Sequence, residues 1–306
     1  MFRLLRFLPI VYVTTLLGEL SQVWWLFELV AHWRILYVCI GISLLLLFGI
    51  LRKMKSFSLV LMILSVHLLR IMPYVVLDAK IAPKAQHELS ILFANTYWLA
   101  KSEDTLVASI RELDPDIIFF FEILNPAFTQ VQDRLKEYPY GDYTPAMYAF
   151  NIGYLSKVPV KKTVHYFVPF VPTVELETQL DGQQVSILGA HPYSPVDAEF
   201  VERRNTLLNE LFAYASVQEV PLLLGGDLNI TPFAPYYWKL KNGYPQLSDS
   251  LEKFGLQNSW PTHTLPHFFA IPIDHAWTNT KLKILERKLG PHTGSDHFPL
   301  FVRVGV

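Results

Sequence analysis

The sequence predicts an α/β sandwich behind an all-α membrane anchor of about three helices, and three observations predict it. The first is an uneven spread of charge: residues 1–77 carry seven basic and two acidic side chains, residues 78–306 carry 19 and 25. The second is Ile35–Leu51, 17 residues without a charge. The third begins at residue 89, where short apolar runs alternate with turn signals and almost every run stops on a carboxylate, an asparagine or a histidine. The whole-chain averages, 51 % hydrophobic and 17 % charged with a formal net charge of −1, hide this division. They exclude a disordered chain, and a single cysteine excludes a disulfide framework.

In chain order, the anchor comes first, over residues 1–77, with spans expected at about 5–25, 35–51 and 57–77. The middle stretch would extend roughly 25 Å as a helix, just enough to cross a bilayer. The third carries His67, Arg70 and Pro73 towards its end, where a long cation can snorkel to the interface. The first is weaker, because Glu19 follows Arg6 after only 12 residues. Trp24 and Trp25 then suit an aromatic belt. A cleaved signal peptide would account for only one of the three stretches. Arg3 and Arg6 precede the first span, and Arg52, Lys53 and Lys55 separate the second from the third. The positive-inside rule places both clusters in the cytoplasm. The following domain is therefore expected on the periplasmic or extracellular side of the cytoplasmic (inner) membrane. Cys39 falls inside a span and carries no information on redox compartment.

Residues 78–88 are polar, contain a proline and read as a linker to a domain at 89–306. Ser90–Trp98 reads as a strand that ends in polar residues, and Thr105–Leu113 as a helix stopped by Asp114-Pro115. Asp116–Ile123 is a buried strand with one carboxylate in it. Val174–Leu180 and Val185–Ala190 flank Asp181-Gly182-Gln183-Gln184 as a hairpin. Asp197–Ser216 is an amphipathic helix, Pro221–Leu224 leads into Gly225-Gly226-Asp227-Leu228-Asn229, and Ile271–Trp277 and Phe298–Val304 close the chain as strands. Strands dominate, with helices between some of them, so sheets should carry the core and helices cover it.

The polar residues at the strand ends are Asn95, Glu122, His191, Asp227 with Asn229, Asp274, and Asp296 with His297. Groups that do chemistry tend to gather where a rigid scaffold ends. A carboxylate buried in a run such as IIFFFEI is costly unless a cation faces it. Oxygen-rich ligands (Glu122, Asp296, Asn95, with Asp227 and Asn229 nearby) suit Mg²⁺ or Mn²⁺. No HExxH or CxxC pattern supports zinc. Histidines beside an acidic metal site point to phosphate chemistry. Taken singly, each residue also fits scaffold: Asn95 a turn, Glu122 an arginine partner, Asp227 and Asn229 a loop.

The segments ILFANTYW, DPDIIFFFEI, NIGYLSK, LGAHPYSP, GGDLNITP, IDHAW and GSDHFPL occur in that order between about Ser90 and Val304. As a set they resemble the endonuclease/exonuclease/phosphatase superfamily, with its deoxyribonuclease-I-like fold. The resemblance implies a four-layer α/β sandwich with a divalent-metal phosphohydrolase site between facing sheets. Carried over by position, it implies Glu122 as principal metal ligand, Asn95 beside it and Asp296 completing the site directly or through water. It implies that His191 contacts the scissile phosphate, Asp227 activates water, Asn229 holds the phosphate, and Asp274 orients His297 on the phosphoryl oxygen. One position departs: Phe121 stands where the family usually has glutamine. Alternation in a strand turns Phe121 away from its neighbour, so it need not touch the metal. His275 reads as structural, and Arg203 and Arg204 as surface salt-bridge residues that could otherwise reach an anionic substrate.

Residues 78–306 have a net charge of −6 and no basic cluster beyond pairs, which lowers but does not remove a nucleic-acid substrate. The chain is also similar to membrane-anchored bacterial members of the superfamily. A short tether would keep the active site near lipid headgroups, which favours a phosphorylated, lipid-linked substrate. The loops are rich in aromatic rings (Tyr138, Tyr140, Tyr143, Tyr148, Tyr236, Tyr237, Trp238, Phe268 and Phe269) that suit an interface, with core packing explaining some of them. The alternatives are a membrane-tethered nuclease acting on DNA or RNA, and a catalytically inactive binding module. Oligomeric state is not legible.

Overall fold

The computed structural model describes residues 5, 7–75, 87–98, 103–262 and 270–306. Its N-terminal segment holds four helices: α1 (Leu8–Val13), continued as a 3₁₀ helix over Thr14–Leu20, α2 (Leu26–Ala31), α3 (Arg34–Ile50) and α4 (Met54–Ile71). Helices α3 and α4 form an antiparallel hairpin. Ile35 and Ile71 at its open end, with Tyr74 just beyond, pack into the core of the following domain. The turn that carries Arg52 and Lys53 therefore lies a helix length away, roughly 25 Å. Ile42, Leu46, Ile50, Leu61, Met62 and Leu69 are exposed along the hairpin.

Three spans were expected. Among the described residues, one helix, Met54–Tyr74, has the length and mean hydropathy (1.7) of a membrane crossing. Arg34–Ile50 is a shorter apolar helix of 17 residues. Leu8–Leu20 is shorter again and turns from α to 3₁₀ geometry at Thr14, where the Thr14 and Thr15 hydroxyls donate to backbone carbonyls. Glu19 ends up level with Arg34 and Arg70 and pairs with both.

The domain consists of two six-stranded sheets. The first runs in the order β11 (Lys283–Leu289), β12 (Leu300–Gly305), β1 (Leu89–Asn95), β2 (Ile117–Phe121), β4 (Ile152–Ser156), β3 (Tyr140–Thr144), and the second in the order β5 (Lys161–Val168), β6 (Val171–Leu180), β7 (Gln183–Ala190), β8 (Leu222–Asp227), β10 (Asp274–Asn279), β9 (Leu247–Asp249). Their central strands are β1, β2 and β12 in one, and β7, β8 and β10 in the other. Three apolar layers lie between four layers of secondary structure. Leu92, Ala94, Ile118 and Phe120 face α5 (Glu103–Leu113) and α6 (Asn125–Arg134). Phe93, Phe119, Val185, Ile187, Leu223 and Ala276 fill the gap between the sheets. Leu188, Leu222, Leu224 and Trp277 face α7 (Ala198–Ser216) and α8 (Pro235–Gly243). Strand alternation decides which layer each residue enters.

The sheets approach closely because Gly225 accepts a ring: a Cβ there would lie 2.4 Å from Phe93. The expected hairpin is β6 (Val171–Leu180) with β7, closed by Asp181-Gly182 at φ 52° and 76°, which suits a two-residue type I′ turn. Asp197 caps α7, its carboxylate accepting from the Phe200 amide at 2.8 Å.

Several expected surface residues are internal. Tyr138 and Tyr237 are buried core rings, not interfacial ones, and their hydroxyls bond Pro115 O and Asp249. Arg204 is fully buried because the inner face of α7 meets α2, whereas Arg203 pairs with Glu199 at the surface as expected. Phe268, Phe269, most of the 78–88 linker, Arg3, Arg6 and the Tyr148 side chain lie outside the described residues.

Candidate functional site

Asn95 closes β1 on the face that meets the second sheet, continuing the alternation of Ile91 and Phe93. Its Nδ2 donates to Glu122 Oε1 at 3.0 Å and to Asp227 Oδ2 at 3.1 Å, so it bridges the two sheets. Its Oδ1 accepts from the Tyr97 amide at 2.9 Å. Glu122 should point the other way by alternation, since Phe121 before it faces the gap. The backbone at Glu122 instead turns left-handed, φ 57°, and swings the carboxylate back into the site. Phe121 therefore packs beneath the site, with its ring 6.0 Å from His191. It fills the family's usual glutamine position with an apolar floor.

The second sheet supplies the rest. His191 follows β7 and Asp227 ends β8, both on the inter-sheet face. His191 Nε2 is 3.4 Å from Glu122 Oε1 and 3.5 Å from Asp227 Oδ2. Neither contact has hydrogen-bond geometry. Among the described residues both buried ring nitrogens of His191 lack a hydrogen-bond partner. Asp227 Oδ1 accepts from the Asn229 amide at 3.0 Å, and Asn229 Nδ2 donates to Pro192 O at 3.0 Å. Asp274, the first residue of β10, lies opposite Asp227 in the ladder, and its Oδ2 is 2.9 Å from His297 Nδ1. The other His297 nitrogen, Nε2, faces Asp227 Oδ2 at 3.6 Å. Gly226, at φ 136°, has Ala190 O where a side chain would start, so glycine is required beside Asp227.

These groups set one another's charge. Burial would lower the pKa of His297, but the Asp274 and Asp227 carboxylates outweigh it and push it up to about 10. Burial also opposes the charged form of His191, yet the facing Asp227 and Glu122 hold its pKa above the usual value. Burial would raise Asp227, but the two histidines and the Asn229 amide hold it below the ordinary carboxylate range. The arrangement is a buried base next to a fixed imidazolium.

Ligand atoms of Glu122, His191 and Asp227 lie within 4.8 Å of one another, as do those of Asp227, Asp274 and His297. Carboxylates with an orphaned imidazole fit a divalent cation and an anionic ligand. Seven of the eight expected residues meet at the site, five in these groups and Asn95 and Asn229 by hydrogen bonds to them. Asp296 does not join them: its Oδ2 accepts from Trp260 Nε1 at 2.9 Å. His275 is where alternation put it, on the far face, bonded to Asp249 and to Ile230 O.

Three contributors escaped sequence reasoning. Ser295 Oγ donates to Asn95 O and accepts from the His297 amide, tying the two halves of the site; it stands in GSDHFPL and was passed over. Trp260 has no local signal. Arg204 donates to Asn229 O at 3.0 Å, which its charge alone did not reveal. Beside Glu122 opens a cavity of about 320 Å³ with a mixed wall, apolar at Trp98, Ile123 and Leu124 and polar at Glu103, Gln130 and Thr293.

Residues 92–297 match a family described as Endonuclease/Exonuclease/phosphatase family. No curated protein matches the chain. Solved structures share the fold at low identity. A D. rerio TDP2 complexed with single strand DNA product is 15 % identical, covers 72 % of this chain and 99 % of its own, and has a TM-score of 0.62. An endonuclease/exonuclease/phosphatase from Bacteroides vulgatus is 14 % identical over 72 % and 99 %, TM-score 0.59. One from Beutenbergia cavernae is 16 % identical over 72 % of each chain, TM-score 0.57.

Proposed function

Because the chain belongs to the endonuclease/exonuclease/phosphatase family, whose members hydrolyse phosphoester bonds with divalent metals, we propose that it is a membrane-anchored, Mg²⁺- or Mn²⁺-dependent phosphodiesterase or phosphatase. The observation that carries this reading is the meeting of Asn95, Glu122, His191, Asp227, Asp274 and His297 across the gap between two sheets, with the His191 nitrogens unpartnered.

Glu122 would hold the metal with Asn95 beside it, and Asp296, turned to Trp260, is left out of the set. A divalent cation bound there would supply neutralisation of the phosphate charge. Asp227, kept anionic by its neighbours, accepts a proton from the attacking water. His191 contacts the scissile phosphate. His297, held cationic and oriented through Nδ1 by Asp274, donates from Nε2 to a phosphoryl oxygen as charge builds there. Asn229 adds a second neutral donor.

The exposed apolar flanks of α3 and α4 favour a lipid environment. With Arg52, Lys53 and Lys55 at the hairpin's far end, the positive-inside rule favours a domain on the periplasmic or extracellular face. The partly apolar cavity beside Glu122 and the nearness of the bilayer favour a lipid-linked phosphate. A second reading, a tethered nuclease, draws support from the DNA-bound TDP2 neighbour; the domain's net charge of −6 weighs against it. The test is a panel of lipid pyrophosphates, phospholipids, nucleotides and nucleic acids with Mg²⁺ or Mn²⁺, using His297→Ala as control. Turnover of lipid phosphates, lost in the variant, is expected. Turnover of nucleic acid alone would move the assignment to the nuclease, and no hydrolysis of any phosphoester would leave the binding module.

A further inference from the structure

The turn that follows β8 is gripped from outside its own sheet. Asn229 sits there at φ 52°, a left-handed conformation that asparagine tolerates better than most non-glycine residues. Its carbonyl accepts from Arg204 Nη1 at 3.0 Å. Arg204 is fully buried, and its charge is met by Glu28: Nη1 reaches Oε1 at 2.6 Å and Nη2 reaches Oε2 at 3.0 Å. Its remaining donors bond Asn205 Oδ1 at 2.7 and 3.1 Å. Glu28 belongs to α2 and is itself 3 % exposed. One turn later His32, also buried, places Nδ1 2.9 Å from Thr231 Oγ1. Beyond α4, Tyr74 packs edge-on to Phe233 with ring centroids 6.3 Å apart. Thr231 and Phe233 thus meet the N-terminal segment directly, and Asn229 meets it through Arg204.

We propose that Glu28 and His32 are positioning residues for the catalytic site, which is fully formed only while the N-terminal helical segment is docked on the turn after Asp227. The proposal rests on the catalytic reading of Asp227 and Asn229. Arg204 cannot hold the Asn229 carbonyl alone, because a buried guanidinium without its carboxylate is driven towards water. The Asn229 amide bonds Asp227 Oδ1, so releasing the turn also frees the carboxylate read as the base. The segment that meets the membrane and the residues that meet the substrate become one mechanical unit.

The test uses the full chain in detergent micelles, with amide hydrogen exchange of residues 228–233 and steady-state turnover of a chromogenic phosphodiester in Mg²⁺. Glu28→Gln, close in shape, should speed exchange in the turn about tenfold while β1 and β2 stay protected. It should lower kcat on the order of tenfold with KM little changed. His32→Ala should act in the same direction more weakly. Glu28→Leu combined with Arg204→Met removes the charges together and should recover the melting temperature without recovering kcat, since the Asn229 carbonyl still lacks its donor. Val107→Ala, in the core under the other sheet, should lower the melting temperature and leave both readouts of the turn alone. Recovery of kcat in the double variant, or unchanged exchange in Glu28→Gln, would overturn the proposal. If the wild type hydrolyses no phosphoester, the proposed function fails, while exchange still decides whether the turn depends on Glu28.

Discussion

The two sheets build their halves of the site differently. The first delivers Asn95 and Glu122 from adjacent strand ends, and their neighbours Tyr97 and Ser295 belong to the same domain. The second delivers His191, Asp227, Asn229 and Asp274, and its turn after Asp227 also leans on Glu28 and His32, almost 200 residues earlier. Alternation is enough to place Asn95, but each half also uses a left-handed residue, Glu122 on the first sheet and Asn229 on the second. At Asn229 the N-terminal segment takes part in the holding, through Glu28 and Arg204.

Substitutions should separate the two halves of the site. The largest effect is expected on the second sheet: Asp227→Asn keeps the shape and removes the base, so kcat should fall by about 10³-fold or more. A loss below tenfold would mean that this sheet supplies no base. Next is Asp274→Asn, expected to lower kcat on the order of 10–100-fold, the usual cost of an orienting partner. Its pH profile has a sign. The His297 imidazolium persists below a pKa pushed up to about 10, so wild-type activity should decline on the alkaline side as pH approaches that value. Removing the Asp274 charge lowers that pKa, so the alkaline limb should move to lower pH. A limb that does not move would detach His297 from catalysis.

Smaller effects test the scaffold between the halves. Gly225→Ala sets a methyl against the Phe93 ring and should cost about 1–3 kcal/mol in thermal unfolding by forcing the sheets apart. It should also loosen the Asn95–Asp227 bridge. Asp197→Ala removes the cap of α7, on which Arg204 rides, and should cost about 1 kcal/mol with turnover nearly unchanged.

Much of the domain was legible because its strands read as apolar runs with polar ends. Asn95, His191, Asp227 and Asp274 all follow from alternation once the strands are placed. The hairpin at Asp181-Gly182 and the helix after Asp197 follow from turn and cap chemistry. Glu122 was found for a reason that alternation alone contradicts, since the left-handed turn that aims it leaves no mark in a single sequence. Arg204 was misplaced because its partner is 176 residues away, and a lone arginine on a helix looks the same whether it faces water or a buried glutamate. Hydropathy does not register the change from α to 3₁₀ geometry at Thr14 in the first apolar stretch. Asp296, adjacent to His297, points instead to Trp260, a pairing set by the loop's path and not by its composition.

The central claim is a divalent-metal site shared between the two sheets. The most direct measurement is a calorimetric titration of Mn²⁺ into the full chain and into Glu122→Gln, whose substitution leaves the rest of the cluster in place. The account predicts saturable binding to the wild type that weakens on the order of tenfold or more in the variant. Equal binding to both proteins would contradict it.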